Sequence, residues 1–272
     1  MTQKRAGVSL FHHYQKLRFW LCRKITLPKS PRNTEFVFIL GMHRSGTSCL
    51  AGSLERCGLF LGKVSHHNLH NIKGNHELKT ARLVHDQIFT ANGGSWYQPP
   101  VYITVNRNQK KTLKEIAAQL TKHLPCGIKD PRLVLLLDIW TEIIDSYTFV
   151  GTFRHPVAVA QSLARRNQIS RDEAYKLWLR YNAELIRWHK MYHFPLVEFD
   201  LSDVEAYRKT TAAFAAMLGL NPNFTQLYEF ITPGLDHNRS PGKPVPAICR
   251  ETYVYLQQHR YQPVLLDDNF GQ

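Results

Sequence analysis

Short apolar segments alternate along the chain with longer segments in which apolar residues recur every three or four positions. The apolar segments predict strands buried on both faces, at residues 36–40, 147–153 and 196–199. The periodic segments predict helices over about residues 45–57, 77–89, 113–124, 130–144, 156–167, 170–188 and 202–219. Strands that alternate with helices indicate an α/β fold, a three-layer αβα sandwich with a central parallel sheet.

The first 34 residues differ from the rest of the chain. They contain eight Lys or Arg and no Asp or Glu, and Pro28 and Pro31 break the helical pattern near their end. We therefore predict a helical basic arm over residues 1–34 and one folded domain over residues 35–272. One face of the arm is apolar, so residues 8–27 are predicted either to contact the inner face of a membrane or to pack on the domain.

The net charge of the chain is +14, of which the arm supplies +8 and the remaining residues +6. A basic chain suits an anionic ligand, and it also leaves a nucleic-acid-binding protein as an alternative from another functional class. No zinc or nucleic-acid recognition motif accompanies the charge, so we expect no nucleic-acid partner. Hydrophobic residues make up 43% of the chain, which is enough to build a large core.

The five cysteines are odd in number and no pair has the spacing of metal ligands. This pattern favours a reducing compartment and gives no indication of a metal site. The first residues do not have the pattern of a signal peptide, and there is no apolar run of about 18 residues, so we expect neither a signal peptide nor a membrane-crossing helix. The predicted location is therefore the cytoplasm.

A glycine-containing loop follows the first predicted strand and precedes a helix. Its sequence is Gly41-Met42-His43-Arg44-Ser45-Gly46-Thr47-Ser48. Glycines five positions apart allow the backbone to fold around a phosphate, and the amides at the start of a helix point towards the anion. The loop is therefore predicted to bind a phosphate group.

The loop lacks the lysine that nucleoside triphosphatases place after the second glycine, because Thr47 occupies that position. That lysine normally reaches the terminal phosphates, so its loss argues against the alternative of a nucleotide or sugar kinase. Arg44 supplies a positive charge inside the loop instead. This composition predicts a site for a nucleotide 5′-phosphate.

A second anion site is predicted where the strand 147–153 ends. Arg154 follows that strand directly, and Ser162 lies eight residues later on the next helix. A planar guanidinium and a hydroxyl that converge on one phosphate form a sound binding site. The alternative is that Arg154 pairs with a carboxylate and Ser162 is an ordinary helix residue.

Five motifs in this order resemble those of the sulfotransferase superfamily, and of its bacterial members in particular: GMHRSGTS, KGNHE, GIKDPR, FRHPVAVAQSLARR and LWLRY. The resemblance covers about residues 36–219 and implies transfer of a sulfuryl group from 3′-phosphoadenylyl sulfate (PAPS) to an acceptor hydroxyl or amine. It implies that the loop, from His43 to Ser48, binds the 5′-phosphosulfate and that Arg154 and Ser162 bind the 3′-phosphate. The fold implied is that of the P-loop kinases.

The resemblance also suggests catalytic residues. Lys129 matches a Lys-Asp-Pro stretch of tyrosylprotein sulfotransferases, in which the lysine lies near the sulfuryl group, and Asp130 is interpreted as a helix N-cap. Glu77 resembles the general base of members that use a glutamate, with the neighbouring His76, or a purely structural role for Glu77, as alternatives. With Arg44 and Lys129 stabilising the transferred and leaving groups, the reaction requires no metal.

The acceptor is not identified by any motif in the chain. The resemblance to bacterial members suggests a glycan or a small metabolite. Residues 234–239 are interpreted as a segment that closes over the nucleotide.

Overall fold

The computed structural model describes residues 36–66, 73–233 and 244–262. These residues contain a four-stranded sheet of β1 (Phe36–Leu40), β2 (Cys126–Lys129), β3 (Tyr147–Phe153) and β4 (Leu196–Glu198). The strand order is β2-β1-β3-β4, and all three neighbouring pairs are parallel. The parallel sheet is therefore confirmed. The predicted arm and the segment 234–239 lie outside the described residues.

Helices connect and follow the strands. They are α1 (Thr47–Arg56), α2 (Lys79–Ala91), α3 (Arg107–Leu120), α4 (Leu133–Trp140), α5 (Pro156–Asn167), α6 (Arg171–Tyr192), α7 (Val204–Met217), α8 (Phe224–Phe230) and α9 (Arg250–Gln258). In the part of the chain described, no helix combines the length and the hydropathy needed to cross a membrane.

Alternate residues of β1 face two separate hydrophobic cores. Phe36 and Phe38 join one core with Trp140 of α4 and Trp178 of α6. Val37 and Ile39 join the other core, which residues of α1, α7 and α8 complete. Helices thus cover both faces of the sheet, and the predicted three-layer sandwich is confirmed.

The sequence pattern missed strand β2. Only four residues long, it includes Gly127, which strand propensity disfavours. The glycine is needed here because a Cβ at this position would lie 2.7 Å from the carbonyl oxygen of Val37 on β1. The next helix begins later than predicted, at Leu133 rather than at residue 130, and its N-cap is Arg132. Asp130 is therefore not the N-cap of this helix, and that interpretation was wrong.

The parallel arrangement brings the ends of three strands to one edge of the sheet. The loop that begins at Gly41 follows β1, Lys129 is the last residue of β2, and Arg154 follows β3. Ligands of open parallel sheets bind at this edge. The fold therefore places the loop, Lys129 and Arg154 at the same edge of the sheet.

Candidate functional site

The loop between β1 and α1 is held in one conformation by its neighbours. Gly46, the N-cap of α1, has φ 83°, and a Cβ at this residue would overlap the ring of Phe199, which follows β4. Glycine is therefore required on both conformational and steric grounds. Arg44 also has a positive φ of 67°, which is uncommon for a residue with a side chain. The Thr152 hydroxyl on β3 donates a 2.9 Å hydrogen bond to the Ser45 carbonyl oxygen.

Arg44, Arg154 and Ser162 lie together at the edge of the sheet. The Nε of Arg44 donates a hydrogen bond of 2.7 Å to the Oγ of Ser162, and Arg154 donates one of 3.2 Å to the carbonyl oxygen of Arg44. Arg154 and Ser162 are both buried, with 5% and 1% exposure. The structure therefore joins the two predicted anion sites directly, since the residue bonded to Ser162 belongs to the loop.

Positive charge is concentrated around Arg44. Burial, together with repulsion from Arg166, Arg154 and Arg165, lowers the pKa of its guanidinium to about 10. Charges that repel one another in this way are stabilised when an anion binds between them. The electrostatics of the site thus favour a ligand with several negative charges.

His43 lies beside aromatic residues at the start of the loop. Its ring centroid is 4.5 Å from that of Trp96 and 5.6 Å from that of Tyr181. Burial, followed by repulsion from Arg132, keeps the pKa of His43 well below its usual value, so the ring is neutral. Its Nε2 and the Oγ of Ser45 have no hydrogen-bond partner among the described residues, although both atoms are buried. Such atoms are usually satisfied, so they are candidates for contact with a bound ligand.

Lys129 connects the loop to the segment before α2. Its Nζ donates hydrogen bonds to Ser48 Oγ at 3.0 Å, to the carbonyl oxygen of Asn75 at 2.8 Å and to Glu77 Oε1 at 2.8 Å. The side chain is buried. A cation thus reaches the loop from the end of β2, although Thr47 stands where kinases carry a lysine in the loop itself.

Glu77 and His76 differ in their surroundings although they are neighbours. Glu77 forms the ion pair with Lys129 and keeps 16% of its side chain exposed. His76 is buried, and its ring nitrogens contact Glu55 Oε2 at 2.9 Å and the carbonyl oxygen of Lys73 at 2.7 Å. Of the two residues, only Glu77 has a side chain directed towards the loop and Lys129.

Sequence reasoning missed a buried network behind Lys129. Asp130 accepts hydrogen bonds of 2.9 Å from the backbone N–H and guanidinium of Arg132, and it lies 3.0 Å from Nδ1 of His85. Trp140 donates to Nε2 of His85 at 3.0 Å, so Nδ1 carries the proton and donates to Asp130. Burial alone would raise the pKa of Asp130, but the charge of Arg132 and the hydrogen bonds from His85 and Arg132 lower it well below its usual value.

No local signal marked this network, because His85 is 45 residues from Asp130. The network fixes the backbone next to Lys129. Asp130 and Arg132 are buried by it, and Arg132 also reaches Asp86 at 2.6 Å. The network therefore supports the position of the lysine rather than the site directly.

Solved structures share this fold. A sulfotransferase domain from the curacin biosynthetic pathway has a TM-score of 0.51 and 16% sequence identity, and the match covers 85% of this chain and 100% of that one. A sulfotransferase domain from the Synechococcus PCC 7002 olefin synthase has a TM-score of 0.50 and 18% identity, with 87% and 99% coverage. No protein-family model and no curated protein matches the chain. At these identities the likeness shows a shared fold.

Proposed function

We propose that this protein is a sulfotransferase that transfers a sulfuryl group from PAPS to an acceptor hydroxyl or amine. The observation that carries the proposal is the position of Lys129. Its Nζ bonds at once to Ser48 of the loop, at 3.0 Å, and to the carboxylate of Glu77, at 2.8 Å. A buried cation between an anion-binding loop and a carboxylate base is the arrangement that in-line sulfuryl transfer needs.

The co-substrate would bind along the edge of the sheet. Residues His43 to Ser48, which include Gly46 and Thr47, would hold the 5′-phosphosulfate with loop amides and the Arg44 guanidinium. Arg154 and Ser162 would hold the 3′-phosphate. The repulsion among arginines around Arg44 and the unpartnered buried atoms of His43 and Ser45 support a ligand with two anionic groups here.

The reaction is a single displacement at sulfur. Glu77 takes the proton from the acceptor, the acceptor oxygen or nitrogen forms a bond to sulfur, and the bond from sulfur to the bridging oxygen breaks. Adenosine 3′,5′-bisphosphate (PAP) leaves with the electron pair. Lys129 and Arg44 stabilise the charge that develops on the leaving phosphate and on the sulfonate. The chemistry requires no metal and no covalent intermediate.

The kinase alternative is weaker because the loop has Thr47 in place of the phosphate-binding lysine. The nucleic-acid alternative depends on charge that lies largely in the first 34 residues, outside the described part of the chain. The acceptor is proposed to be a glycan or small metabolite on the resemblance alone. The cysteines of the described residues, Cys49, Cys57, Cys126 and Cys249, are free and buried, which supports a cytoplasmic location.

The test of the co-substrate is thermal denaturation with nucleotides. PAP is expected to raise the melting temperature by mass action, and adenosine 5′-monophosphate, which lacks the 3′-phosphate, is expected to do so much less. ATP with magnesium serves as the kinase control, and stabilisation by ATP equal to that by PAP would contradict the proposal. An acceptor screen with radiolabelled PAPS would then test for transfer.

A further inference from the structure

We propose that Glu55, His66 and His76 bind one divalent transition-metal ion, with Zn²⁺ the best fit. Glu55 lies near the end of α1, and His66 and His76 lie in the connection between α1 and α2. The site is separate from the phosphate loop and from the Lys129–Glu77 pair. Its existence does not depend on the proposed transfer reaction.

The three side chains already converge as ligands of one ion would. The Nε2 of His66 lies 3.0 and 3.1 Å from the two carboxylate oxygens of Glu55, and the Nδ1 of His76 lies 2.9 Å from Oε2. One ligand atom from each residue lies within 4.8 Å of the others. Metal–nitrogen bonds of about 2.0–2.1 Å in a tetrahedral site separate neighbouring ligand atoms by about 3.3 Å. Only small side-chain movements are therefore needed.

The hydrogen bond on the far side of the His76 ring determines whether the nitrogen that faces Glu55 carries a lone pair. Its Nε2 lies 2.7 Å from the carbonyl oxygen of Lys73, and a carbonyl oxygen only accepts, so Nε2 carries a proton. In the neutral ring Nδ1 then presents a lone pair to a carboxylate oxygen. Two acceptors at 2.9 Å need a cation between them, either a second proton on the ring or a metal ion.

The same hydrogen bond is typical of histidines that bind metals. Such residues usually donate their second ring N–H to a carbonyl or carboxylate, which fixes the orientation of the ring. The backbone of His76 is also held in an uncommon conformation, with φ 52°, and a Cβ at Gly52 would come within 2.6 Å of its ring. The buried imidazole is therefore oriented in advance of binding.

The chemistry of the ligands favours zinc. Two imidazoles and one carboxylate suit Zn²⁺ in a four-coordinate site, whereas magnesium and calcium prefer oxygen ligands alone. The fourth position is open to water, because His66 is 61% exposed on its side chain. The ion would tie α1, which begins at the phosphate loop, to the segment that carries His76 and the adjacent Glu77. It would act by holding these segments together, not in the transfer step.

The experiment measures Zn²⁺ binding to untagged, full-length protein that has been treated with a chelator. Competition with a chromophoric zinc chelator is expected to show one tight site in the wild type. His66→Ala is the first variant, because an exposed residue can be removed without loss of folding. It and Glu55→Gln are expected to weaken that site at least tenfold. The matched control is His259→Ala. His259 is an exposed histidine at the C-cap of α9, and its replacement is expected to leave the zinc affinity unchanged.

Two further readouts make the assignment specific. Co²⁺ in place of Zn²⁺ is expected to give the visible absorption of a four-coordinate nitrogen–oxygen site in the wild type and to lose it in His66→Ala. Zn²⁺ is expected to raise the melting temperature of the wild type and not of His66→Ala. Equal zinc affinity in these two proteins, or no tight zinc site, would overturn the proposal. The contact between His76 and Glu55 would then be explained by a proton shared between them. Thermal stabilisation by PAP, measured in parallel, reports on the proposed function separately.

Discussion

The Nε of Arg44 donates a hydrogen bond of 2.7 Å to the Oγ of Ser162, although the two residues are 118 positions apart. The bond joins the loop after β1 to helix α5, which follows β3. Arg154 also donates a hydrogen bond to the carbonyl oxygen of Arg44, so Arg44 connects the two predicted anion sites. A ligand that carries phosphates at its two ends would therefore contact a single connected group of side chains.

Replacement of Arg154 is expected to weaken PAPS binding selectively. Arg154→Ala is expected to cost about 2–5 kcal/mol of binding free energy, the usual cost of removing one partner of a buried charge pair. The loss is expected to be much smaller for adenosine 5′-phosphosulfate, which has no 3′-phosphate. Isothermal titration calorimetry with the two ligands measures the difference, and Arg171→Ala, at an exposed position of α6, is the matched control. Equal losses for both ligands would show that Arg154 is a scaffold residue.

Replacement of Glu77 is expected to reduce turnover without loss of co-substrate affinity. Glu77→Gln keeps the size and hydrogen-bonding capacity of the side chain but removes the base, and general-base catalysis typically contributes about 10²–10⁴-fold. The exposed Glu115→Gln is the control. The assay is steady-state sulfuryl transfer to an acceptor from the screen, together with PAP binding.

Two results would contradict this role for Glu77. Full activity in Glu77→Gln with none in His76→Ala would assign the base to the imidazole, despite the contacts of that ring with Glu55 and Lys73. A collapsed melting transition in Glu77→Gln would instead indicate that the carboxylate is structural, as the partner of the buried Lys129.

The sequence was most informative where one segment carries both the structure and the chemistry. The loop 41–48 was predicted because the strand, the two glycines and the helix are contiguous, and Pro156 at the start of α5 fixed that helix at the observed residue. Strand β2 was missed because the glycine at position 127 is required by close packing against Val37, a residue of another strand. The His85–Asp130–Trp140 network was missed for the same reason, since only the fold brings these residues together.

Lys129 is expected to act mainly on the chemical step. Lys129→Met keeps the length of the side chain and removes the charge, so the leaving phosphate loses a stabilising cation. By analogy with the loss of one oxyanion donor, turnover is expected to fall by about 10²–10³-fold. Rapid-quench measurement of a single turnover checks the prediction, with the exposed Lys114→Met as control. A fall in PAPS affinity large enough to account for all of the lost activity would assign Lys129 to binding instead.

The ion pair of Asp130 with Arg132 is expected to make stability depend on acid pH. The folded pKa of Asp130 lies below the value of about 3.9 in an unfolded chain, so the unfolded state binds more protons in acid. The free energy of unfolding is therefore expected to decrease as the pH falls below about 5, as the contribution present at neutral pH is lost. Asp130→Asn removes this part of the pH dependence.

At neutral pH Asp130→Asn is expected to lower the free energy of unfolding by about 3–5 kcal/mol, because it leaves a buried guanidinium without its principal partner. Urea unfolding at about pH 7 and about pH 4 measures both effects, with the exposed Asp145→Asn as control. An unfolding free energy in Asp130→Asn that equals the wild-type value at both pH values would show that Asp86 alone satisfies Arg132.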